Sequence, residues 1–166
     1  MRVYIPATLA MLQKLVADGS IHARSGIAFA VTPKLRESYA EGDDDELSEV
    51  ALREAALASL RLLAAEGADS GLPPRRAVLL AEVDEATARP DLDDAVVRLP
   101  GSVDIAHVIA AFVDNADAEP AVVTAMMAVD AADLGDEDAE FTVGDAQDHD
   151  LAWYASQELP FLLELL

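Results

Sequence analysis

The chain has no cysteine. Disulfides, thiolate nucleophiles and cysteine-ligated zinc are thereby excluded, and a reducing compartment is the expected setting. Aromatics are scarce, at 5% of residues, while alanine and leucine are abundant. Alanine favours helix but fills little volume, so the core is expected to be close-packed helices with few large anchors. Bases are the third shortage. Eleven lysines and arginines face 32 acids, the formal charge is −21, and from about Ser102 onward there is no lysine or arginine. Phosphate backbones and anionic membranes both call for a basic surface, so neither nucleic acid nor membrane is an expected direct partner. No run approaches the roughly 18 apolar residues that span a bilayer. The opening MRVYIP is too short and too broken for a signal peptide. A cytoplasmic protein is the expectation.

What is present suits one domain. The 166 residues are 52% hydrophobic, enough for a sizeable core. Val3–Ile5 reads as an opening strand that Pro6 ends. Thr8 then caps a helix carrying Leu9, Leu12, Leu15 and Val16 on one face, and Gly19 stops it. Ile27–Val31 is a second strand. Thr32 and Pro33 open a short helix, and the acidic run Asp43–Glu46 opens the longest one, ending near Glu66. Strands follow at Ala77–Val83 and Ala95–Leu99. Ser102 is expected to cap a helix over Val103–Val113, with His107 partly buried in it. A second helix, Pro120–Ala132, would complete a hairpin. Residues 133–150 read as an acidic loop whose charge favours mobility. Leu151–Tyr154 then offers a last strand, with Ser156 and Pro160 opening a terminal helix; the alternative is one helix from Asp148 onward. The order predicts a single α+β domain over 1–166, with one mixed sheet of four to five strands and helices packed on it.

Chemistry-bearing motifs are missing. There is no Gly-x-Ser-x-Gly elbow, no Walker A pattern and no Gly-x-Gly-x-x-Gly fingerprint. His22, His107 and His149 lack a helical histidine partner. Asp133, Asp136 and Asp138 resemble part of a calcium loop, but the sixth-place glycine and twelfth-place glutamate are absent. No catalytic, cofactor or metal residue is therefore assigned. The candidate functional patch is Asp148, His149, Asp150, Trp153, Tyr154, Gln157 and Glu158, because flanking carboxylates favour a charged histidine beside two aromatics. The apolar end PFLLELL would fold onto the domain's own core or form a contact, including one with a second copy.

The segments MRVYIPATLAMLQKLVADG, GIAFAVTPKLRESYAEGDDDEL and HDLAWYASQEL together resemble a conserved hypothetical family of actinobacteria, a domain of unknown function. The resemblance implies a bacterial, cytoplasmic protein from a high-GC source and carries no activity with it. Three functional readings stand. The first is a non-enzymatic interaction or regulatory protein with an acidic docking face for a basic protein partner. The second is an enzyme centred on His149 and nearby carboxylates. The third is a nucleic-acid mimic.

Overall fold

The computed structural model describes residues 1–166, with side chains described for all but 68 and 69. The first strand, β1 (Arg2–Ala7), shows the period of two that a sheet imposes. Val3, Ile5 and Ala7 are fully buried against one face, where α1 (Leu9–Asp18) brings Leu9, Leu12 and Leu15. Thr8 caps α1 by accepting from the Met11 N–H, and Gly19 ends it with φ at 79°, a conformation that favours glycine. After the short strand β2 (Ser20–Ile21) comes β3 (Ile27–Phe29), then α2 (Pro33–Ser38), capped by Thr32.

The long helix α3 (Asp44–Glu66) starts at Asp43, whose carboxylate accepts from the Glu46 N–H at 2.9 Å. Three acids in its first turn face the positive end of the helix dipole. Its Leu47, Ala51 and Ala55 cover the second sheet face, against Phe29 and Val78. Small side chains there let the helix backbone lie close to the strands. One polar group is buried in this contact. Ser59 donates to the Ala7 carbonyl at 2.7 Å and accepts from the Ala77 N–H at 3.0 Å, bridging β1 to β4 (Ala77–Glu82).

The strands β5 (Thr87–Ala88), β6 (Val96–Arg98), β7 (Val103–Asp104), β8 (Val108–Val113) and β9 (Ala152–Ala155) complete the β structure. There are two sheets: a seven-stranded one in the order β5-β6-β3-β1-β4-β8-β9, and a two-stranded one of β2 and β7. Every strand pair is antiparallel. The expected single mixed sheet of four to five strands is thus corrected, although the α+β character stands. Strands of two residues, such as β2, β5 and β7, are too short to show any period in sequence.

Three further expectations change. Residues 103–113 are β7, a turn and β8, rather than a helix capped by Ser102. β8 meets a cluster on each face of the sheet, Ala111 and Val113 on the α1 side and Phe112 on the α3 side, so it shows no alternation, and an apolar run of this kind has no period that tells strand from helix. His107 falls in the turn and is exposed. Pro6 lies inside β1 instead of ending it. Residues 133–150, read as a loop, hold α5 (Glu137–Gln147), which folds back on α4 (Glu119–Asp133). Asp136 caps α5 by accepting from the Ala139 N–H at 2.9 Å, and Ala139, Val143 and Ala146 form its buried stripe. With Val122, Ala125 and Val129 of α4, Val143 and Ala146 of that stripe close on Leu60 and Leu63 of α3. The last helix, α6 (Leu159–Glu164), buries Leu159 and Leu162 beside α1, while Phe161 and Leu165 are exposed.

Candidate interaction surface

The exposed part of the α4–α5 hairpin carries two features, uncompensated charge and exposed apolar bulk. The first is charge. Glu137, Glu140, Asp145 and Asp148 lie along α5 and, among the described residues, none of them forms an ion pair. Asp133, at the end of α4, is neutralised: Arg61 of α3 donates two hydrogen bonds of 2.9 Å to it. The second feature is exposed apolar bulk. Met127 and Leu134 are exposed, and Phe141 is 76% exposed in the midst of the acids. Of these, Phe141 is the one that shares a depression with the acids.

Phe141 does not stand on a flat wall. It borders a shallow depression of about 540 Å³ shared with the four carboxylates and Gly144. A side chain at Gly144 would meet nothing within 4 Å, so the glycine leaves the space beside the ring open. An aromatic face, an open notch and a ring of uncompensated carboxylates can accept a lysine or arginine side chain: the ring quadrupole attracts the cation and the carboxylates pair with it.

The patch expected from sequence does not converge on one point. Asp148 belongs to the α5 depression. His149 is half-buried, and its backbone does the bonding: its N–H donates to the Ala146 carbonyl at 3.1 Å and its carbonyl accepts from Arg76 at 2.8 Å. Asp150 is exposed. Trp153 lies across from Phe112 on the α3 side of the sheet, 57% exposed, whereas Tyr154 packs into the cluster on the α1 side. The two aromatics leave β9 on opposite faces, as consecutive strand residues do. Gln157 is exposed, and Glu158 accepts from the Ala155 N–H at 3.2 Å.

Sequence reading missed two features. Phe141, an isolated aromatic within an acidic run, carried a signal that was not used. The buried pair of Arg76 and Asp114 carried none, since its partners are far apart in the chain. A separate cleft of about 580 Å³ brings His107 near Asp84, Glu85 and Asp104. The Asp104 carboxylate is already engaged there, accepting from the Ala106 N–H at 3.0 Å. Among the described residues, no group of three or more His, Cys, Asp or Glu is placed to hold a metal ion. No helix among them is long and apolar enough to cross a membrane.

These features define an α+β protein built on an antiparallel seven-stranded sheet, with helices on both faces and an acidic helical hairpin. The chain belongs to a family of unknown function (DUF6912), whose model matches residues 1–163. No curated protein and no solved structure matches it.

Proposed function

We propose that the protein is a non-enzymatic interaction or regulatory protein that docks a basic partner protein on its α4–α5 hairpin. The observation that carries this reading is Phe141, exposed and ringed by carboxylates that have no cation of their own. From Ser102 to the end of the sequence there is no lysine or arginine, so the hairpin's own field is negative, and the cations that reach it from elsewhere include Arg61 at Asp133, Arg75 at Glu119 and Arg53 at the Gln147 carbonyl. Such a field steers a basic partner in, and the apolar anchors then hold it. A second copy of the chain is disfavoured here, because it presents the same sign of charge.

The test is a pull-down with identification of the bound protein, run with the native chain, Phe141→Ala and Glu140→Lys. Both positions are exposed, so neither change opens the core. One basic protein should be captured by the native chain, released as salt rises, and bound about tenfold more weakly by either variant. Capture that is indifferent to both substitutions, or no specific capture at low salt, would refute the proposal.

A further inference from the structure

A cleft of about 600 Å³ lies between the N-terminal half of α3 and the sheet. Tyr4 of β1 and Phe112 of β8 line it, their ring centroids 6.2 Å apart and the rings tilted by 46°. Both are only half-buried, so ring surface is left to solvent. Val31 and Leu52 add apolar wall. The opening exists because α3 presents Ser48 here, one turn before Leu52, and a hydroxymethyl group does not reach across to the rings.

The rim decides what such a floor can take. Arg36 is tied to Asp44, while the Met1 ammonium, which also lines the cleft, and Arg2 share the one carboxylate of Glu82 at 3.1 and 3.6 Å. Asp45 and Glu49 also line the cleft, one helical turn apart on the same flank of α3. Among the described residues neither of them forms an ion pair. Counted with Glu82, three cations meet four carboxylates, so the surplus charge is negative by one, and the two unpaired carboxylates sit on the α3 flank. The volume is that of a small-molecule site.

We infer that this cleft binds an organic cation, an ammonium group carried on a flat apolar body. The body lies over Tyr4 and Phe112, whose ring faces attract positive charge, and the ammonium faces Asp45 and Glu49. An anion of the same shape meets the same two carboxylates and finds the Met1 ammonium and Arg2 already engaged by Glu82. This site is separate from the α4–α5 hairpin and stands or falls independently of it.

Benzyltrimethylammonium is a suitable probe, with benzoate as its counterpart of opposite charge. Amide shifts in ¹⁵N-labelled protein locate the probe and give its Kd. Trp153, the only tryptophan and the cross-strand neighbour of Phe112, gives a second readout by fluorescence. The cation should saturate at millimolar concentration or below, with shifts at Tyr4, Val31, Leu52 and Phe112, and benzoate should bind at least about tenfold more weakly. Glu49→Gln and Asp45→Asn, both on exposed residues, should each weaken the cation about three- to fivefold. Ser48→Leu should fill the cleft and abolish binding while the protein still unfolds cooperatively on heating. Equal binding of benzoate, shifts centred on Phe141 instead, or no saturable binding of the cation would overturn the inference.

Discussion

Removing one partner of the Arg76–Asp114 pair should cost a large share of the fold's stability. The two side chains are 1% and 0% exposed. The Asp114 carboxylate accepts from Arg76 Nε at 2.9 Å, from Nη2 at 2.8 Å and from the Arg76 backbone N–H at 2.8 Å. The guanidinium also donates to Gln147 Oε1 and to the His149 carbonyl, each at 2.8 Å. One buried ion pair thus joins the start of β4, the end of β8, the end of α5 and the approach to β9. Asp114→Ala leaves the guanidinium buried without its counter-ion, a change that costs about 3–5 kcal/mol. Arg76→Met strands the carboxylate at a similar cost of about 3–5 kcal/mol. Either loss is a large fraction of the roughly 5–15 kcal/mol that holds a domain together. The double variant Arg76→Met, Asp114→Leu removes both charges. It still orphans the backbone N–H of residue 76 and the Gln147 and His149 oxygens at about 1–3 kcal/mol each, so it should fall short of the sum of the single losses. Urea unfolding measures this, followed by circular dichroism and by Trp153 fluorescence. A single-variant cost under about 1 kcal/mol, or a double variant that equals the sum of the singles, would refute the account.

Two further outcomes follow from buried polar groups. Ser59→Ala removes the hydroxyl bridge between the Ala7 carbonyl and the Ala77 N–H, and urea unfolding should show a loss of about 1–3 kcal/mol; a neutral result would mean that the two strands close the gap directly. Glu54, half-buried on α3, has its pKa raised above the ordinary 4.5, first by burial and then by the Asp93 carboxylate, with Arg61 and Arg53 opposing. The folded state therefore takes up this proton more readily than the unfolded one, and the stability so gained is present in acid and lost as pH rises through the raised value. Glu54→Gln should melt higher than the native chain at neutral pH and equal it below the ordinary glutamate range; a gain of the same size at both pH values would contradict this.

Parts of the fold were written locally. The starts of α1, α2 and α3 were legible because Thr8, Thr32 and Asp43 each bond an N–H only three residues ahead, and such bonds need no partner from elsewhere. The start of α5 had the same kind of cap in Asp136, but its buried stripe is small and its acids dominate the composition, so it read as a loop. In the candidate patch, Asp148 alone joined the surface that the hairpin presents, because α5 had to form before its acids could share a face with Phe141.

Sequence alone determined the charge, its imbalance along the chain, and the caps that start the first helices. Tertiary structure decided the rest. β8 became a strand because β4 and β9 supply its hydrogen bonds from both sides, and an apolar run without alternation has no preference strong enough to declare this by itself. The same holds for Arg76 and Asp114, and for Tyr4 and Phe112. Each is an ordinary residue in sequence, and each acquires its environment from a neighbour many residues away that only the antiparallel sheet brings alongside.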